Sequence, residues 1–269
     1  MKLLKISIIT PSYNQAEFIE RTIQSVLNQK GNFELEYIVI DGKSTDGTLS
    51  ILKKYEKRLK WISEKDQGQT DAINKGLRMA TGEIVAFLNS DDTYISGTLQ
   101  KVANLFQQNS QTMWTYGKCK IINENDQEIL HFITKIKNFL LKHYSYFKLL
   151  CINFISQPAT FWRHEAIQKI GLLDTKQHYV MDYEYWLRLG EKFTPKVINS
   201  DLANFRRYTT SKSGSGYRRQ FWQEWLVAAR YSLKHWYGIL ILIFHLASYI
   251  LIVGGYTILG ATSLIFRKK

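Results

Sequence analysis

Ile6-Ser-Ile-Ile-Thr-Pro-Ser-Tyr-Asn14 decides how the chain is read. Its first half is a short β-branched apolar run, and its second half is a polar loop opened by Pro11. A run of this kind reads as a buried strand that ends in a loop. Downstream, Phe18, Ile19, Thr22, Ile23, Val26 and Leu27 recur at helical spacing, and Gly31 is a stop signal. Leu35 to Asp41 is a second strand, Gly42 to Gly47 a turn-rich loop, and Thr48 to Lys57 a second helix. The unit then repeats, with strands at Trp61 to Ser63 and Glu83 to Leu88 and helices at Thr70 to Ala80 and Ile95 to Gln107. Strands alternating with helices indicate an α/β fold built on a parallel, doubly wound sheet. In such sheets ligands sit beyond the carboxyl ends of the strands. The polar clusters after Thr10, Ile40 and Leu88 all fall at such ends, so one shared site is expected there.

Beyond residue 112 the pattern changes. Met113 to Ile122 and Glu128 to Ile133 are expected to pair as antiparallel strands around the turn Asn123-Glu-Asn-Asp126. Lys135 to Leu150 is aromatic and basic, and it could meet either lipid or another subunit. Pro158 to Trp162 looks extended, Val180 to Lys192 helical, Lys196 to Phe205 strand-like and Tyr217 to Trp236 helical.

From Tyr237 to Phe266 there is no Asp, Glu, Lys or Arg, while Lys234 precedes the run and Arg267-Lys268-Lys269 follows it. About 20 such residues are enough to cross a bilayer, and flanking cations anchor at headgroups. A buried core helix is the alternative, disfavoured by the length of the run. Gly254-Gly255 leaves a re-entrant hairpin open beside a single span.

The chain has 269 residues, is 45% hydrophobic and 14% aromatic, and contains only 3 prolines. These values fit one substantial core and argue against disorder or a Pro-rich linker. The net charge of +13 is concentrated in the last third, which favours a membrane surface or phosphorylated substrates. Nucleic acid is not expected, because no recognition helix, zinc-finger spacing or RNP-type motif is visible. Cys119 and Cys151 form no CxxC pair and read as inert thiols in a reducing cytosol. Met1 to Thr10 has no long apolar segment, so no cleaved signal peptide is expected.

Six groups of residues carry possible chemistry. Asp91 and Asp92 form a carboxylate pair just past a strand end in Leu88-Asn-Ser-Asp-Asp92. Such a pair suits Mg²⁺ or Mn²⁺, which prefer carboxylate and phosphate oxygens; an N-cap for the following helix is the alternative. Asp41 could accept a hydrogen bond from a pyrimidine ring N–H or simply form a turn with Gly42. Asp66, Asp71 and Lys75 cluster in the next loop and helix, where Asp71 and Lys75 could be an ordinary i,i+4 ion pair. Asp182 could serve as a general base or as a first-turn helix acid. Arg206, Arg207, Ser211 and Lys212 make a basic, hydroxyl-rich loop that could close over phosphate oxygens or be a solvated charge run. His178 could line an acceptor site or be structural.

Taken in order, these segments resemble family 2 glycosyltransferases, inverting enzymes with the GT-A fold. The matching stretches are Ser7 to Asn14, Asp41 to Thr48, Asp71 to Gly76, Gly82-Glu83 with Leu88 to Asp92, Gln157 to Phe161, and Met181 to Arg188. The resemblance implies a GT-A, Rossmann-like, mostly parallel sheet flanked by helices. It also implies a nucleotide held by Pro11, Tyr13, Asn14 and Asp41 with Ser44, a divalent metal on Asp91 and Asp92, and a base at Asp182. Two departures stand out: Asn89 occupies the first acidic position of the DXD-like motif, and Tyr208 stands where the family often has a His.

The organisation implied is a catalytic domain over residues 1–215, comprising a donor-binding half (1–110) and an acceptor-binding half (111–215), followed by a membrane-associating helical region over 216–269. The expected reaction moves a sugar from a nucleoside diphosphate, with uracil the base expected from the resemblance, to a glycan or lipid-linked hydroxyl at the cytoplasmic face of a bacterial inner membrane. A catalytically silent nucleotide-sugar module would be favoured by loss of Asp91 or Asp182, and both are present. A nucleotidyltransferase would be expected to carry a Gly-rich basic loop near the N-terminus, and Thr10 to Gln15 contains no Gly, Lys or Arg.

Overall fold

The computed structural model describes residues 3–209, 211 and 216–250. Strand β1 (Leu4–Ser12) lies between β2 (Phe33–Asp41) and β4 (Ile84–Phe87) and is parallel to both. β3 (Lys60–Ser63) extends the parallel run beyond β2. Helices α1 (Ile19–Leu27), α2 (Thr48–Lys54) and α3 (Gln69–Met79) connect these strands. Ile6, Ile8 and Ile9 are fully buried, as the apolar run requires. α3 approaches β1 so closely that a Cβ on Gly76 would lie 2.4 Å from Ile9 Cγ2; only glycine fits there.

The second half adds β5 (Thr93–Tyr94), α4 (Thr98–Gln108), β6 (Trp114–Ile122), β7 (Thr160–Arg163) and β8 (Lys196–Arg206). All eight strands join in one sheet of order β3-β2-β1-β4-β7-β6-β8-β5. The parallel expectation holds for the first half, and β6 and β8 are also parallel. The β4–β7, β6–β7 and β5–β8 pairs are antiparallel, so the sheet is mixed. The expected hairpin after β6 closes around its turn, with Asn123 N donating to the Gln127 carbonyl at 2.9 Å and Ile129 N to the Ile121 carbonyl at 2.8 Å, but goes no further. β7 covers only Trp114–Tyr116 on that edge of β6, and Glu128 bridges Ile122 farther along it. The chain then turns into helix α5 (His131–Leu141) instead.

The chain divides into two compact units, Met1–Tyr144 with Phe154–Arg207, and Ser145–Asn153 with Tyr208–Lys269. The first contains the whole sheet, α7 (Glu165–Ile170) and α8 (Met181–Lys192). In it, Trp114 stacks on Trp186 at 6.1 Å, fixing α8 against β6. The second unit contains α6 (Tyr146–Cys151), α9 (Tyr217–Ser232) and a helical run over 238–250. Asn153 Nδ2 donates to Glu224 at 3.1 Å, and His245 Nδ1 lies 2.8 Å from the Leu150 carbonyl. These contacts explain why 145–153 belongs with the C-terminal helices. The expected apolar span reaches beyond residue 250 and lies in part outside the described residues. Among those described, no helix is long and apolar enough to cross a membrane.

A buried carboxylate pins the first half of the sheet together. Glu36 of β2 is 6% exposed and accepts from Ser7 Oγ at 2.6 Å, Thr81 N at 2.8 Å and Lys60 Nζ at 3.0 Å. Burial alone would raise its pKa, but the donors outweigh it and hold the carboxyl at about 2. Glu36 therefore contributes stability at neutral pH that is lost as pH falls from about 4.5 toward about 2. Glu36→Ala should cost about 1–3 kcal/mol and flatten the acid limb of stability in that window, as measured by urea unfolding at several pH values.

Candidate active site

The register of the parallel strands brings three loops to one edge. Ser12 at the end of β1 lies opposite Asp41 at the end of β2, and Leu88 N, just past β4, donates to the Ile9 carbonyl at 2.8 Å. The three loops expected to share a site therefore leave the same edge of the sheet.

The first two loops are zipped together by side chains of the second. Asn14 N donates to Ser44 Oγ at 2.7 Å, Gln15 N to Thr48 Oγ1 at 2.9 Å and Ala16 N to Asp46 Oδ2 at 3.0 Å. In return Thr45 N donates to Asn14 Oδ1 at 2.8 Å. Residues 44, 46 and 48 thus satisfy three consecutive backbone donors, which accounts for the Ser-Thr-Asp-Gly-Thr spacing. Asn14 adopts a left-handed conformation, with φ of 51°, which Asn tolerates better than most residues. Tyr13 is left 60% exposed at the tip of this loop, whereas Pro11 is buried.

Asp41 is fully buried beneath the zipper. It accepts from Ser44 N at 2.9 Å and from the hydroxyls of Ser44 and Ser63. Asp66 sits over Gly42, where a Cβ would come 2.6 Å from its carboxylate, and is only partly buried. Asp71 accepts from Gln67 N at 3.1 Å and pairs with Lys75 at 3.4 Å, so the i,i+4 pair is real. Lys75 reaches Glu64 more closely, at 2.8 Å, and that contact raises its pKa.

The loop after β4 separates the two adjacent acids. Asp92 is fully buried, with Oδ1 accepting from Arg206 N at 2.8 Å and Oδ2 accepting from Asn89 Nδ2 at 3.2 Å. Burial, and then the neighbouring Asp91, push its pKa well above the usual carboxylate range. Asp91 is partly exposed and is the member of the pair with access to a ligand. Neither caps a helix, because α4 begins only at Thr98 with Gly97 as its N-cap. Among the described residues there is no cluster of three His, Cys, Asp or Glu able to hold a metal. The donor set still suits a hard cation that takes one protein carboxylate and completes its shell with phosphate oxygens and water.

Asn89 has a function of its own. Its Oδ1 accepts from Gln69 Nε2 at 2.7 Å, and its Nδ2 donates to Gln157 Oε1 and Asp92 Oδ2, each at 3.2 Å. Gln157 Nε2 in turn donates to the Phe87 carbonyl at 2.6 Å. Gln157 and Gln69 were not among the residues singled out from sequence, although Gln157 opens one of the matching segments.

Asp182 occupies the first turn of α8, partly exposed, with Oδ1 accepting from Tyr183 N at 2.8 Å. α3 sets its position. Thr70 Oγ1 meets Met181 Sδ at 2.8 Å, and Asn74 exchanges two hydrogen bonds with the backbone of Leu173. Gln69, which grips Asn89, precedes Thr70 directly, so the first turn of α3 links the Asp91 loop to the start of α8. Glu184 is buried in an ion pair with Arg188 at 2.7 Å.

The basic loop corrects one expectation. Arg206 is 1% exposed, and each of its side-chain nitrogens donates to protein oxygen: Nε to the Asp91 carbonyl at 2.8 Å, Nη1 to the Asn123 carbonyl at 2.6 Å, and Nη2 to Asp126. A guanidinium so engaged is committed to the fold rather than offered to phosphate. Ser211 belongs to the second unit, where it closes a turn on the Tyr208 carbonyl at 2.6 Å. Lys212 lies outside the described residues.

Known proteins resemble this chain in sequence and in fold. The profile of Glycosyl transferase family 2 matches residues 7–171. TuaG of Bacillus subtilis, named as a teichuronic acid biosynthesis glycosyltransferase, is 42% identical over 218 residues, covering 79% of this chain and 83% of that protein. WfgD of Escherichia coli, named as a UDP-Glc:alpha-D-GlcNAc-diphosphoundecaprenol beta-1,3-glucosyltransferase, is 37% identical over 123 residues, covering 45% of this chain and 47% of that protein. This chain spans 40% of the length of another curated relative, an uncharacterized glycosyltransferase from Nostoc. Among solved structures, S. aureus TarS 1–349 in complex with UDP-GlcNAc superposes with a TM-score of 0.72 at 20% identity, covering 92% of this chain and 73% of that one. At that identity the likeness concerns the fold alone.

The amide relay generates a prediction. Asn89→Asp, which places an acid at the first position of the motif, removes both donors and sets a second carboxylate beside buried Asp92. It should destabilise the protein by about 1–3 kcal/mol, read as a lower denaturant midpoint with an unchanged slope.

Proposed function

The chain belongs to glycosyl transferase family 2, and from that premise we propose that it moves a sugar from a nucleoside diphosphate, with UDP the preferred carrier, to a hydroxyl of a lipid-linked or glycan acceptor, with inversion at the anomeric carbon. The observation that carries this reading is the convergence of the zipped nucleotide loop, the accessible Asp91 and the first turn of α8 with Asp182, joined through α3. The relatives' names support the acceptor class: one is named for teichuronic acid and another for a diphosphoundecaprenol-linked sugar.

In this proposal Tyr13 presents its ring to the base, and Asp66 is the carboxylate open to a pyrimidine N–H. Asp41 holds Ser44, and through it Asn14, behind them. Asp91 would hold the Mg²⁺ or Mn²⁺ that the family implies. Bound there, the cation would neutralise charge on the departing diphosphate. Asp182 takes the proton from the acceptor hydroxyl, which then attacks in line. Lys75, already paired with Glu64 and Asp71, supports the loop beside the donor rather than meeting its phosphates.

The same proposal places the enzyme at the cytoplasmic face of a bacterial membrane. Exposed apolar side chains along 238–250 support it, among them Ile239 at 71%, Ile243 at 60% and Ile250 at 60%. Contiguous apolar surface of this kind marks an interaction site.

A panel of nucleotide sugars incubated with Mn²⁺ should show metal-dependent release of nucleoside diphosphate from one donor. Asp182→Asn should lower kcat about 10²–10⁴-fold while leaving donor binding in place, and Asp91→Ala should abolish the metal-dependent release. Release that survives in both variants would sink the assignment. Truncation after Trp236 should shift the protein from sedimenting with anionic-lipid vesicles to remaining in solution; unchanged sedimentation would remove the membrane from the proposal.

A further inference from the structure

Arg206 and the turn it grips have no part in the chemistry above, yet they touch the loop that carries Asp91. The Asp126 carboxylate accepts from Arg206 Nη2 through Oδ1 and from Arg21 Nη1 through Oδ2 at 3.0 Å. Arg21 lies on α1, directly after the zipped nucleotide loop, and its Nη1 also reaches the Glu124 carbonyl at 2.9 Å. Arg206 lies over the Phe18 ring at 5.0 Å, just ahead of the same helix. The turn itself is rigid: Asn123 Oδ1 accepts from Asn125 N and Gln127 N, each at 3.0 Å, and Asp126 has a φ of 63°. One surface carboxylate therefore ties together α1, the end of β8 and the backbone of Asp91.

We infer that Arg206 is a positioning residue for Asp91, and that Asp126 sets its geometry by holding the guanidinium between the Asp91 carbonyl and the 123–126 turn. The inference rests on the reading that Asp91 holds the metal. A carboxylate that meets a cation from a partly exposed loop takes its direction in large part from its own backbone. Partners behind metal ligands typically change metal affinity by about 10–100-fold when lost. Arg206 is the guanidinium that fixes this backbone, and Asp126 is the group that can be altered without opening the core, since its side chain is 51% exposed.

The test uses the full chain with UDP and Mn²⁺ as probes, titrating Mn²⁺ at fixed UDP by electron paramagnetic resonance and UDP without metal by calorimetry. Asp126→Gly removes the carboxylate at a positive φ that glycine adopts freely, and it should weaken Mn²⁺ binding about tenfold. UDP affinity without metal should change less than about twofold in that variant, because Arg21 keeps the Glu124 carbonyl and the nucleotide loop keeps its own hydrogen bonds to residues 44, 46 and 48. Asp126→Asn keeps an oxygen for Nη2 and should restore most of the loss, while Arg206→Lys, which cannot span three acceptors, should match or exceed Asp126→Gly. A Mn²⁺ midpoint unmoved in both Asp126→Gly and Arg206→Lys would overturn the inference. So would an equal loss of metal-free UDP affinity, which would mark a general loosening of the fold. If the unaltered protein shows no metal-dependent UDP binding, the metal reading of Asp91 fails first and the inference falls with it.

Discussion

β1 has parallel partners on both sides, and the rest of the molecule follows from that constraint. A strand with fully buried Ile6, Ile8 and Ile9 must pair its backbone groups with neighbouring chain. Parallel pairing on both sides forces the carboxyl ends of β1, β2 and β4 to one edge. The loops leaving that edge start close together whatever their sequences. Their sequences then decide how they are fastened: hydroxyls and carboxylates at 44, 46 and 48 capture the N–H groups of residues 14 to 16.

The fastening of the third loop has a different physical character. It buries an ionisable acid, Asp92, and a guanidinium, Arg206, in one network. Unpaired, either would be costly to bury. Here each charged atom meets a donor or acceptor, so the network rigidifies the loop while leaving Asp91 at its accessible side. Two adjacent acids thus differ in setting: Asp92 is locked inside the fold, and Asp91 stays partly exposed.

The alternating strands and helices of the first half were legible because each run is short, strongly apolar and bounded by turn residues. β1, β2 and α3 lie within two residues of where the patterning placed them. The hairpin expected after β6 stops at one bridge because Leu130, with a φ of 54°, turns the chain into α5, a choice that local pattern does not report. The same limit explains the site. Asp41, Asp66, Asp91 and Asp182 could be nominated from motif and spacing. Whether a side chain such as Arg206 faces a ligand or Asp126 depends on contacts across 80 residues of sequence. Asn89 was visible as a departure from the family pattern, but its purpose emerges only once Gln69, Gln157 and Asp92 surround it.

The central claim is that this edge of the sheet cleaves the bond between a sugar and a nucleoside diphosphate. A ³¹P NMR time course of a responding nucleotide sugar with Mg²⁺ and the protein tests it most directly, because the phosphorus products identify the broken bond. The account predicts loss of the two diester resonances and growth of a nucleoside diphosphate with a free terminal phosphate. Inorganic pyrophosphate, or nucleoside monophosphate with sugar phosphate, would place the cleavage elsewhere and contradict it.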